Sequence, residues 1–174
     1  MIYISSYRWM LANTAALAPR FVVSIMDPDD TMELPDGVPP ANHLVLRMHD
    51  VSDIDKMYDH ETSPNGDMVG RLLEFGRSWT PYTTVLVHCM SGISRSPAAV
   101  LALLAQNNPG MEDEAARALR KAAPHVRPNK LIVGIADQLL GLNGRLCESL
   151  RTMLPSVTCM HDEPVELSPF PTSW

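Results

Sequence analysis

The 174-residue chain has little of what marks the specialised protein classes. Its three cysteines are odd in number and include no CxxC pair, which fits neither a disulfide framework nor a structural zinc site. A reducing cytoplasm is the expected compartment. Positive charge is scarce, with 14 Lys and Arg against 20 Asp and Glu and a formal net charge of −6. That balance argues against a broad nucleic-acid footprint and against attraction to an anionic membrane, both of which need a basic surface. It leaves room for a small anion pocket, which needs only a few well-placed donors. No apolar run approaches the roughly 20 residues of a membrane span. The N-terminal stretch MIYISSYRWMLANTAAL carries Arg8 and Asn13 inside its most apolar part, so it does not read as a signal peptide.

What remains is an ordinary globular composition, 45% hydrophobic and 20% charged. Its length suits one domain, at about 150 residues per domain, and lets the chain bury roughly 70% of its unfolded surface. Short apolar runs alternate with helix-period segments. Strands are expected at Ile2 to Ile4, Phe21 to Ile25, Leu44 to Met48 and Thr83 to Val87. A short helix is expected over Trp9 to Ala18, stopped by Pro19. Residues 27–42 hold five acidic residues and four prolines and read as a surface loop. Met68, Leu72, Phe75 and Trp79 fall on one face of a helix.

Residues 94–105 are apolar on nearly every side, the pattern of a buried central helix. Helices follow over Glu112 to Ala123 and from Pro128, a residue favoured in a first turn. The latter carries a stripe of Leu131, Ile135, Leu139, Leu142, Leu146 and Leu150, and Gly141 and Gly144 are candidate break points. Strands followed by helices imply an α/β domain over residues 1–151, with a mostly parallel central sheet and helices on both faces. Residues 152–174, rich in proline and without Lys or Arg, form a tail expected to be poorly ordered or draped on the surface.

The chemistry concentrates in Val87-His88-Cys89-Met90-Ser91-Gly92-Ile93-Ser94-Arg95-Ser96, between a buried strand and a buried helix. In a parallel sheet that turn lies at the carboxyl end of a strand, where ligands bind. The following helix adds unpaired N–H groups and a partial positive charge. If residues 90–95 curl into a ring, the amides of Met90, Ser91, Gly92, Ile93, Ser94 and Arg95 make a nest for a tetrahedral anion. Gly92 permits backbone angles that a side chain resists, and the Arg95 fork matches two phosphate oxygens. Cys89 at the bottom of that cradle is favoured as thiolate by the dipole, the amides and Arg95, and is aligned for attack on phosphorus.

This HCxxGxxRS loop after an apolar strand resembles the signature of the cysteine-dependent protein tyrosine phosphatases, particularly the small dual-specificity type. The opening strand–helix–strand, the Leu44–Asp50 segment and the Pro128-Asn129 helix start are also similar to that family's layout, over about residues 1–150. The brevity of the chain and its Leu142-Asn143-Gly144-Arg145-Leu146 segment are similar to small bacterial members.

The resemblance implies a single-domain phosphatase fold and a phosphocysteine intermediate on Cys89. Arg95 and the amides of residues 90–95 would bind the equatorial oxygens. Ser96 would donate a hydrogen bond to the sulfur, and His88 would support the loop. It also implies a general acid on a loop after the strand upstream. Asp50, 39 residues before Cys89, fits that position, with Asp53, Asp55 and Asp59 as rivals. No cofactor or metal is implied; a phosphorylated protein or peptide is the expected substrate, and phosphate, sulfate or vanadate are expected ligands of the loop.

Other readings of the same residues stand beside these. Ser96 could serve as a helix cap, His88 as a core histidine, and Asp50 as a turn residue on a solvated face. Arg127 could line the pocket edge or sit in solvent, and Asn129 reads as structural. Cys147 reads as packing and Cys159 falls in the tail, while His43, His60, His125 and His161 have no metal-site spacing. The whole loop could bind phosphate without turnover, or act on a non-protein phosphate such as a phosphoinositide. Neutral side chains at Met90, Ser91, Ile93 and Ser94 favour phosphotyrosine, with phosphoserine and phosphothreonine as further substrates, over polyphosphorylated lipids.

Overall fold

The computed structural model describes residues 1–80, 82–153 and 165–167. Strands β1 (Ile2–Ser6), β2 (Phe21–Met26), β3 (His43–Arg47), β4 (Val85–Cys89) and β5 (Val165–Leu167) form one sheet in the order β3-β2-β4-β1-β5. The first four are parallel, and β5 pairs antiparallel with β1. Helices α1 (Tyr7–Leu17), α2 (Gly66–Gly76), α3 (Arg95–Asn107), α4 (Glu112–Ala122), α5 (Lys130–Leu139) and α6 (Arg145–Thr152) complete the α/β architecture anticipated from the sequence.

The two faces are unequally covered. Val22 and Leu86 pack with Met10 of α1 on one face. Val23, Ile25, Val85 and Val87 point the other way, into a large core shared with α2 to α6, as alternation along a strand requires. The center of that core is α3, in which every residue from Arg95 to Ala105 is buried. Ala98, Ala99, Ala102 and Ala105 let it lie close to its neighbours. Met10 and Met48 are fully buried, one in each core.

Element boundaries shift by small amounts with local causes. α1 starts two residues early because the Ser6 hydroxyl accepts from the Trp9 amide at 3.2 Å, capping the helix. β4 runs two residues later than the apolar run suggests. Thr83 is held by the Met1 ammonium and by a turn to Thr80, while Ser5↔His88 and Ser6↔Cys89 extend the ladder to the signature residues. The last helical stretch divides at the two glycines: Gly141 and Gly144 both have positive φ. The Asp137 carboxylate accepts from the amides of Gly144 and Leu146 at 2.7 and 2.8 Å and so starts α6. Within the segment assigned to the tail, Val165–Leu167 is the edge strand β5; Cys159, His161 and the rest of residues 154–164 and 168–174 lie outside the described residues.

Candidate active site

β4 ends at Cys89 and α3 starts at Arg95, so residues 90–94 turn back at the carboxyl edge of the sheet. The turn is held by its carbonyls, which face outward: Tyr7 N–H donates to Met90 O at 3.1 Å, Arg127 N–H to Ile93 O at 2.8 Å and Asn129 N–H to Ser94 O at 3.1 Å. Gly92 takes φ +74°, and a Cβ there would stand 2.8 Å from the Ser5 carbonyl carbon. A side chain at this position therefore meets both backbone strain and the main chain of β1.

Cys89 is 2% exposed. Its sulfur lies 3.3 Å from the Gly92 amide and 3.3 Å from the Ser96 hydroxyl. The Gly92 N–H donates to the sulfur, the Ser96 hydroxyl lies beside it, and the N-terminus of a 13-residue helix directs positive potential toward it. Arg95 is almost wholly buried, and its Nη1 donates to the Asp27 carboxylate and, at 2.6 Å, to Met48 O. Its Nε is buried without a hydrogen-bond partner. A guanidinium anchored on one nitrogen with a buried donor left open is arranged to accept an anion.

Asp50 sits three residues past β3, exposed at the mouth. Its Oδ1 accepts from the Ser94 hydroxyl at 2.7 Å and from the Asn129 amide at 2.8 Å. Asn129 also donates to Val51 O at 3.0 Å and caps α5 through its Oδ1. One asparagine thus ties the acid loop, the signature loop and a helix start together. Asp53, by contrast, is exposed, and its hydrogen bond to Lys56 holds its carboxyl below the usual carboxylate range, which suits a poor proton donor. Asp55 and Asp59 are exposed on the same segment. Among the described residues of this stretch, Asp50 is the carboxylate bonded to the signature loop.

His88 is fully buried, facing α1 rather than the large core. Its Nε2 bonds the Ser24 hydroxyl at 2.6 Å and its ring stacks on Tyr7 with 5.8 Å between centroids. Burial pushes its pKa from 6.5 down to about 4. Arg127 contributes its main-chain amide to the loop. Cys147 is half-buried on α6, where burial raises its thiol. Three residues of this neighbourhood are not among the site residues expected from the sequence: Asp27, Ser24 and His43. The position of Asp27 directly after a strand was the available signal, since such ends line ligand sites in parallel sheets. Among the described residues there is no cluster of metal-ligating side chains, and no helix is long and apolar enough to cross a membrane.

No family model and no curated protein matches the sequence. Solved structures do match. The PTP-2 phosphatase of Cydia pomonella has a TM-score of 0.60 at 18% identity, over 79% of this chain and 84% of its own. DUSP15 matches with a TM-score of 0.60 at 16% identity, over 90% and 94%. PTPMT1 in complex with PI(5)P gives 0.58 at 16%, over 82% and 91%. The chain has the fold of a dual-specificity phosphatase. In this phosphatase fold the Cys89 loop occupies the strand-to-helix turn at the carboxyl edge of the sheet, and the Asp50 loop leaves the same edge two strands away.

Proposed function

We propose that this chain is a cysteine-dependent phosphatase acting on phosphate monoesters, with phosphotyrosine as its first substrate and phosphoserine and phosphothreonine as further ones. The observation that carries the reading is the socket itself. Its carbonyls are tied outward at Met90, Ile93 and Ser94, its sulfur is met by the Gly92 amide and the Ser96 hydroxyl, and a buried Arg95 Nε has no partner.

In the first step the Cys89 thiolate attacks phosphorus along the line of the leaving oxygen. The S–P bond forms as the P–O bond breaks, and protonated Asp50 gives its proton to the departing oxygen. The amides of residues 90–95 and Arg95 hold the equatorial oxygens and match the charge that builds in the transition state. In the second step the Asp50 carboxylate takes a proton from water, whose oxygen attacks phosphorus. The S–P bond breaks and the electron pair returns to sulfur, where the Ser96 hydroxyl and Gly92 amide stabilise it. Both steps run on side chains and water, and the free Cys89 and Cys147 suit a reducing cytoplasm.

The neutral side chains of Met90, Ser91, Ile93 and Ser94 favour a single phosphate over the multiple phosphates of an inositol lipid. PTPMT1, with its bound PI(5)P, makes that lipid class the proper comparison substrate.

The test is hydrolysis of an aryl phosphate in the presence of chelator, followed by phosphopeptides and a short-chain phosphoinositide. Wild type turns over, Cys89→Ser is inactive, and Asp50→Asn is slower by roughly 100-fold, the scale of general-acid catalysis. Faster turnover of the phosphoinositide than of any phosphopeptide would overturn the substrate class. An inert wild type that still binds phosphate would replace the enzyme reading with that of a phosphate-binding module.

A further inference from the structure

Ser24 lies in the middle of β2 with no exposure. Its Oγ is 2.8 Å from His43 Nε2 and 2.6 Å from His88 Nε2. The three residues span three adjacent parallel strands: Ser24 pairs with His88 of β4, and His43 pairs with Val22 two residues before Ser24. The line runs from half-buried His43 on the edge strand to the residue before the nucleophile.

A hydroxyl carries one proton. It donates to one of the two ring nitrogens and accepts from the other. With both rings neutral, one Nε2 is therefore protonated and the other is not. Burial favours the neutral form of both, lowering His88 and, in the same direction, His43. The other nitrogen of His88, Nδ1, is buried without a hydrogen-bond partner. The Ser24 hydroxyl is thus the group that meets the His88 ring, and its proton decides which ring nitrogen carries the other one.

We propose that Ser24 and His43 are positioning residues for the nucleophile. Ser24 Oγ accepts from one Nε2 and donates to the other. This chain of donors fixes the tautomer and ring plane of His88, and with them the end of β4 that carries Cys89. Tyr7 stacks on the opposite side of the ring, and its hydroxyl is engaged by the Glu33 amide, so Ser24 is the group that selects the tautomer. The kinetic consequence rests on the phosphatase reading; the tautomer does not.

The experiment is a two-bond ¹H–¹⁵N correlation of the histidine rings near neutral pH, paired with aryl phosphate kinetics. In wild type each ring is a single tautomer, one of them Nε2–H and the other Nδ1–H. Ser24→Ala converts His88 to a mixture and lowers kcat about five- to tenfold, the scale of one buried hydrogen bond, with KM nearly constant. Ser24→Thr, which keeps the hydroxyl, restores both readouts. At the half-buried His43, where substitution spares the core, His43→Gln keeps a hydrogen-bonding amide and the wild-type His88 signature, whereas His43→Leu loses it. An unchanged His88 tautomer in both Ser24→Ala and His43→Leu overturns the proposal, as does equal loss of kcat in Ser24→Ala and Ser24→Thr. If Ser24 variants fail to fold, the His43 pair decides. If wild type hydrolyses nothing, the phosphatase reading falls while the ring spectra still decide the relay.

Discussion

The burial of His88 makes the fold sensitive to mild acid, and the size of that sensitivity follows from one pKa. In the unfolded chain the ring titrates near 6.5; in the folded chain burial holds it at about 4. Stability rises with pH wherever the unfolded state binds more protons. Here that window lies between the two values. Above it neither state holds the proton and the full stability is present. As pH falls through 6.5 the unfolded chain takes up a proton that the folded one refuses, and the loss levels off below the folded value. The whole difference corresponds to about 3 kcal/mol, of which about 2 kcal/mol is already lost on going from about pH 8 to about pH 5.

Urea titrations at those two pH values, followed by tryptophan fluorescence, read this directly. At a slope of about 2 kcal/mol per molar urea, the midpoint moves by about 1 M. Carboxylates and His43 add their own dependence, so the informative quantity is the difference from His88→Gln, whose amide reaches Ser24 but does not titrate. The variant loses about 2 kcal/mol less than wild type over the same interval. Equal losses in the two proteins would refute the assignment of a buried, neutral His88.

Gly92→Ala puts a methyl group 2.8 Å from the Ser5 carbonyl carbon at φ +74°. It should cost about 2 kcal/mol or more in thermal unfolding, and about 100-fold in aryl phosphate turnover through displacement of the loop. Asn129→Ala removes the cap of α5 together with the amide that holds Asp50. The expected loss is about 1 kcal/mol of stability and about tenfold in kcat, the scale of one hydrogen bond to a charged group. Asp27→Ala takes away the carboxylate that anchors Arg95 Nη1. Vanadate inhibition should weaken about tenfold, again one charge-assisted hydrogen bond, with the fold intact by circular dichroism.

The turn from β4 to α3 was legible because its pattern is local: a strand, ten consecutive residues and a helix start specify it. The two glycines dividing α5 from α6 were legible for the same reason. Other features depend on strand order, which the chain does not spell out. Asp27 reads as one of five acids in a surface loop; it reaches Arg95, 68 residues away, because β2 lies beside β4. Ser24 looks like filler in a β-branched strand, and His43 like an isolated histidine, until parallel register sets Ser24 opposite His88. Asn129 reads as structural and is so, but its amide reaches Asp50, 79 residues earlier in the chain. The strand in the tail was illegible because three residues between prolines have too little pattern to announce an edge.

The carbonyls of Met90, Ile93 and Ser94 are held by main-chain amides from three distant points, Tyr7, Arg127 and Asn129. Because those bonds join backbone to backbone, they make no demand on the side chains of Met90, Ser91 or Ile93, which stand exposed around the opening. On the proposed function, the socket for phosphate and the rim for the rest of the substrate are therefore separately adjustable. Substitutions on the rim can retarget the protein toward a different phosphoester while the chemistry beneath stays as it is.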